Sequence, residues 1–169
     1  SQDVVPLHII NETSHHGGVT LLSFNSRGNM LASVGMDRAN TLVFHVWDKA
    51  LLLLKTPTGK NKVYCMCFMD YGEGDDTIDK SIFQPEGTDE NIDVVVTGGV
   101  KHLKFWWMTN GKNIKSQRAL WNNEDRDTDV LCVGSASRNI CVTGCSNGNV
   151  LVWENFKCVY NALEAYSSL

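Results

Sequence analysis

The sequence predicts an all-β protein, built from short antiparallel strands in repeating groups of four. Three observations predict it. Helical periodicity is nearly absent, and the apolar residues fall in strand-length runs. Polar turn signals such as NSRGN and CSNGN separate those runs. The order of strand and turn recurs three times, with Trp47, Trp106 and Trp153 as landmarks. The Trp spacings are 59 and 47. Taking out an acidic insertion of roughly 20 residues brings the first spacing near the period of about 40 to 45 of four-stranded propeller blades.

The first group reads VTLLSF (Val19 to Phe24), MLASVG (Met30 to Gly35), TLVFHVWD (Thr41 to Asp48) and ALLLLK (Ala50 to Lys55). The second reads KVYCMCFM (Lys62 to Met69), DVVVTGG (Asp93 to Gly99), VKHLKFWWM (Val100 to Met108) and, more weakly, NIKSQRALW (Asn113 to Trp121). The third reads DVLCVG, ICVTG, VLVWE and FKCVYNAL, between Asp129 and Leu163. Residues 1–169 are thus expected to form one partial propeller, with repeats at 15–56, 58–121 and 128–163. Residues 4–10 (VVPLHII) are expected as the outer strand of a preceding blade. Three repeats cannot close a ring that takes about four to eight blades, so the expected object is a fragment of a larger propeller whose open blade edges could self-associate.

Composition bounds the function. With 43% hydrophobic and 20% charged residues the chain should fold. No apolar run approaches the roughly 18 residues of a membrane helix. SQDVVPLHII lacks the basic start and apolar core of a signal peptide, so a cytoplasmic location is expected. The six cysteines are expected to be reduced and mostly buried. Charge is unevenly spread: Asp70 to Asp93 holds nine acids and one base, while Lys55 to Met69 and Gly98 to Arg118 hold eight bases and no acid. The acidic insertion, residues 70–91, reads as a solvated surface loop.

At this point the residues resemble a family. LASVGMDRANTLVFHVWD (Leu31 to Asp48) and CVTGCSNGNVLVWE (Cys141 to Glu154) resemble the second half of a WD repeat. VVVTGGVKHLKFWWM (Val94 to Met108), with its GVKHLKFW core, is similar to repeats of the echinoderm microtubule-associated protein-like family. The resemblance implies a non-catalytic interaction scaffold of the cytoskeleton, with tubulin or microtubules as partner. It also implies a structural tetrad of His15, Ser33, Asp37 and Trp47, in which the His bonds Ser and Asp and the indole N–H finds an acceptor. In the other repeats Val100 and Asn147 stand where the Asp would be, and Gly59 and Arg126 where the His would be. Those blades should be less tightly pinned.

The remaining constellations argue against catalysis. Ser33 sits in mid-strand, not on a strained nucleophile elbow. No cysteine pair has zinc-knuckle spacing, and the loop acids lack the order of a calcium loop, so no metal is expected. PTGKN (Pro57 to Asn61) lacks the upstream Gly and following Ser or Thr of a phosphate-binding loop, and no cofactor is expected. Lys60, Lys62, Lys101, Lys104, Lys112, Lys115 and Arg118 are the candidate partner-binding residues, a landing site for an acidic protein. Nucleic acid is disfavoured, because no aromatics interleave these bases on a known module. The rival readings are a WD-repeat adaptor of a ubiquitin-ligase or signalling complex and, behind it, a propeller enzyme.

Overall fold

The structure is a computed structural model that describes residues 9–10, 15–72, 91–109, 111–122 and 126–162. It holds three four-stranded antiparallel sheets. Blade 1 is β1 (Val19–Phe24), β2 (Met30–Gly35), β3 (Thr41–Val46) and β4 (Leu51–Pro57). Blade 2 is β5 (Val63–Gly72), β6 (Asn91–Gly99), β7 (His102–Thr109) and β8 (Asn113–Arg118). Blade 3 is β9 (Val130–Ser137), β10 (Ile140–Cys145), β11 (Val150–Glu154) and β12 (Lys157–Ala162). Each blade is a meander whose sequence neighbours pair, and β5 packs against both β1 and β9. The outer-strand expectation at 4–10 falls outside the described residues except for Ile9 and Ile10, which lie in no strand.

Blade 2 is the middle layer, and its sequence says why. Along β6, Val94 and Val96 join a cluster with Cys141, Leu151 and Trp153 of blade 3. Val95, between them, joins Ala32, Val34 and Phe44 of blade 1. Along β7, Phe105 and Trp107 face blade 3 while Trp106 faces blade 1. A strand turns alternate side chains to opposite faces, so a strand covered on both sides must be apolar at every position. That accounts for the unbroken VVV and FWW. Cys65 and Cys67 likewise share one face of β5, with blade 3. All six cysteines are free thiols; Cys132 is exposed, and burial pushes the Cys65 and Cys67 thiols up to about 12. Large exposed apolar side chains gather on blades 1 and 3 instead, including Leu22, Phe24, Leu131, Val159 and Tyr160.

Gly98 lets blades 2 and 3 approach. A Cβ there would fall 2.5 Å from Val130 Cγ1 and 2.7 Å from Cys65 Sγ. The acidic insertion begins later than the composition implies. β5 continues to Gly72 and β6 starts at Asn91, with Asp70 opposite Asp93; residues 73–90 lie outside the described part. Two of the nine acids are therefore interblade ties. Asp93 accepts from Arg27 Nη2 at 2.6 Å and Asn25 Nδ2 at 3.0 Å, and Ser26 Oγ donates to Asp70 Oδ1 at 2.7 Å. Asp93 is shielded, with 10% of its side chain exposed, so this ion pair is less screened than an open surface pair.

Candidate functional site

The three blades share one backbone signature, which fixes which residues correspond. Met36, Val100 and Ser146 each donate their N–H to the residue just before the first strand of their blade, at Gly18, Lys62 and Asp129. Three positions earlier stand Ser33, Thr97 and Thr143. Across the hairpin these face Val43, Lys104 and Leu151, and two residues further along stand His45, Trp106 and Trp153. Trp106 and Trp153 each donate their indole N–H to Thr97 Oγ1 and Thr143 Oγ1 at 2.8 Å.

This register corrects the tetrad. His15 Nε2 and Ser33 Oγ do share a hydrogen bond of 2.7 Å. The tryptophan position of blade 1, however, is held by buried His45, not by Trp47. Trp47 lies past the end of β3, donates to Gly28 O at 2.6 Å and packs edge-on against Phe24. It braces the β1–β2 turn. The reason is the long β2–β3 turn, which sets the indole two residues beyond the register position that Trp106 and Trp153 hold. Asp37 does not bond His15 either. Its carboxylate accepts from Ala39 N, Thr41 N and Thr41 Oγ1 at 2.9, 3.1 and 2.9 Å, closing its own turn. His15 Nδ1 has no hydrogen-bond partner, and burial holds the imidazole below its usual pKa against the pull of the Asp37 charge.

Blade 2 supplies its imidazole from an unexpected place. His102, at the start of β7, shares a 2.8 Å hydrogen bond with Thr97 Oγ1. The expectation that this blade would be loosely pinned for want of a His at position 59 is thereby revised: Thr97 is held by Trp106 and His102 together. Burial, then the charges of Lys104 and Arg118, bring His102 down to about 4.

Asp37→Ala is expected to cost about 1–3 kcal/mol, because three donors lose a charged acceptor. The desolvation of Asp37 opposes ionisation, but its hydrogen bonds outweigh it and hold the carboxyl below its usual range. Its contribution is therefore present above the unfolded pKa of about 3.9 and lost as pH falls through the lower folded value. Urea midpoints of Asp37→Ala equal to the parent's at pH 7 would show that the turn does not need it.

Three of the seven candidate basic residues line a cleft, and four lie elsewhere. The β4–β5 connection, the β6–β7 turn and the end of β8 all lie at one end of blade 2, as the meander requires. There Lys60, Lys101 and Arg118 line a cavity of about 490 Å³. Arg126, which sequence reasoning took only as a departure from the tetrad, lines it too, as does His102. Leu103, Ala119 and Trp121 make the apolar part of the wall. Trp121 is held edge-to-face on Trp153 at 4.8 Å. Asp129 Oδ1 accepts from Lys101 N at 3.0 Å, and this fixes the turn in which Lys101 takes φ 45°. Lys101 Nζ lies 3.3 Å from Asp127, whose side chain is 90% exposed.

The other predicted residues go elsewhere. Lys62 Nζ lies over the Tyr64 ring at 5.5 Å, and Lys104 Nζ over Trp106 at 3.9 Å. The cation–π contact and burial turn Lys104 into part of the blade. Lys112, in the β7–β8 turn, and Lys115, paired with Trp107, are exposed and away from the Arg118 end. Among the described residues no group of three or more His, Cys, Asp or Glu could hold a metal.

Three adjoining four-stranded meanders, two of them with a hydroxyl-to-indole tie inside the blade, define a class of architecture, the WD-repeat propeller. Residues 6–39 match the family described as WD domain, G-beta repeat. The fold is that of the structures titled "Structure of U3-55K" and "Crystal structure of RRP9 WD40 repeats", each with a TM-score of 0.50 and 18% identity. Those alignments cover 79% and 78% of this chain and 33% and 32% of the solved chains. Within the class it is similar to the echinoderm microtubule-associated protein-like proteins. It is 28% identical over 149 residues to protein-like 1 of Homo sapiens, covering 87% of this chain and 16% of the relative. It is 30% identical over 152 residues to protein-like 1 of Mus musculus, with the same coverages. It is 29% identical over 149 residues to protein-like 2 of Rattus norvegicus, covering 87% of this chain and 20% of that protein. The chain thus spans between a sixth and a fifth of the length of these relatives.

Proposed function

We propose that this chain is a non-catalytic docking module of the cytoskeleton whose partner is tubulin or the microtubule. The observation that carries the reading is the cationic cleft, where Lys60, Lys101, Arg118 and Arg126 converge at one end of blade 2. A cleft lined by one sign of charge draws an oppositely charged surface and orients it. The relatives are named as microtubule-associated, and the acidic surface of tubulin supplies the complementary charge. The side chains that could look catalytic are engaged in the fold: Ser33 and His15 with each other, Asp37 with its own turn.

The test is retention of soluble tubulin by the immobilised chain, beside co-sedimentation of the full-length parent with microtubules. Tubulin should be retained at low ionic strength and released as salt rises, since exposed charges more than a Debye length of about 10 Å apart are screened at 0.1 M. No retention at low salt would sink the reading. Tubulin-free capture of one ubiquitin-ligase or signalling complex would favour the adaptor alternative.

A further inference from the structure

The cleft is concave and too small for a folded domain, so whatever enters it is a few side chains. Among the described residues, none that lines it carries a carboxylate. Among the described residues the acid paired with a lining cation is Asp127, which is largely exposed and competes weakly. Its cations come from separate connections: Lys60 before β5, Lys101 between β6 and β7, Arg118 at the end of β8, and Arg126 beyond it. Positive charge set around a cleft in this way suits several anions strung along an extended chain better than one compact ion. The apolar wall of Leu103, Ala119 and Trp121 is of no use to inorganic phosphate, but it suits the methylene stems of acidic side chains. Single-stranded nucleic acid is served by successive aromatic faces, and among the described lining residues Trp121 is the one large aromatic, beside an imidazole already engaged with Thr97.

We infer that the cleft at the Lys101 end of blade 2 binds a flexible peptide of consecutive glutamates, with carboxylates on Lys60, Lys101, Arg118 and Arg126 and side-chain stems against Leu103 and Trp121. This rests on reading the chain as a partner-docking module and names what the module reads: an unstructured acidic tail, not a folded surface. Lys104 does not line the cleft and holds its Nζ over the Trp106 ring, and His102 is engaged with Thr97, so the cleft's selectivity lies with the four rim cations.

The experiment is fluorescence anisotropy of a labelled hexaglutamate peptide with the full chain at low salt. Binding is expected, and the double reversal Lys60→Glu with Arg118→Glu should weaken it by about tenfold or more. Reversing Lys112→Glu with Lys115→Glu changes the net charge equally at the far end of blade 2 and should weaken it by less than about twofold. Equal losses in the two pairs would overturn the inference, because bulk charge alone would then explain binding. Should the first pair disturb folding by circular dichroism, Lys60→Ala with Arg118→Ala is the substitute, and unchanged affinity in that folded pair also overturns it. A labelled oligothymidylate that binds more tightly than the peptide would overturn the peptide assignment in favour of nucleic acid. Tubulin retained without any hexaglutamate binding would defeat this inference and leave the docking function standing.

Discussion

Trp153→Ala is expected to lower the unfolding free energy by about 3–5 kcal/mol, the usual range for truncating a fully buried aromatic. Trp153 has no exposed surface and lies in the cluster between blades 2 and 3. Its removal leaves a cavity beside Leu151, takes the edge contact from Trp121, and leaves the buried Thr143 hydroxyl without its indole donor. That hydroxyl keeps only a weak 3.8 Å hydrogen bond with Cys145 Sγ, so the lost donor adds to the cavity cost. Trp47→Ala is the control. The two tryptophans occupy matching places when the repeats are aligned by sequence, yet Trp47 is only partly buried and bonds a turn carbonyl. It should cost about 1–2 kcal/mol, the loss of one hydrogen bond and partial burial. Urea titration of both variants decides the matter. Equal losses would mean that Trp47 fills the blade as Trp153 does, and that the assignment of His45 to that place is wrong.

The second large effect is on acid stability. His102 lies near 4 in the folded protein and near 6.5 when unfolded. A depressed folded pKa means that the unfolded chain binds the proton first, so the contribution is complete above about 6.5 and is lost as pH falls toward 4. Integrated from pH 7 to 4.5, the loss is about 2.5 kcal/mol. His102→Gln keeps a group able to bond Thr97 but cannot be protonated. The fall in stability between pH 7 and 4.5 should therefore shrink by about that amount in the variant. Unfolding midpoints at the two pH values measure it. A variant with the parent's full acid slope would place the titration elsewhere, at His15 or His45, which burial also lowers.

Much of the architecture was legible because it is local. The strand at Met30–Gly35 ends where its Gly ends, and Val150–Glu154 is bounded by an Asn-Gly turn and a two-residue turn. Such boundaries depend on φ/ψ preferences and on apolar runs within a few residues. The site was legible only in part. Basic residues in a row along the chain pointed to blade 2, but alternation along β7 and β8 set Lys104 over Trp106 and left Lys115 away from the Arg118 end of the sheet. Arg126 is brought to Lys60 by the turn from blade 2 into blade 3, and no spacing in the sequence announces that.

What the sequence determined by itself is the grouping of the strands in fours and the family they resemble, since pleat period and turn chemistry are written residue by residue. Only the tertiary structure decided register and neighbourhood. A shift of two residues in the β2–β3 turn puts His45 rather than Trp47 opposite Leu31, beside the Ser33–Val43 pair, because pairing follows backbone hydrogen bonds and not the identity of the side chain. The close approach of blade 3 at Gly98 makes blade 2 a layer buried on both faces. That packing turns an Asp and an Arg from different blades, Asp93 and Arg27, into one ion pair, and it leaves four cations facing a cleft with no carboxylate among its described lining residues. Charges far apart in the chain interact only through distance in space, and distance in space is what folding alone sets.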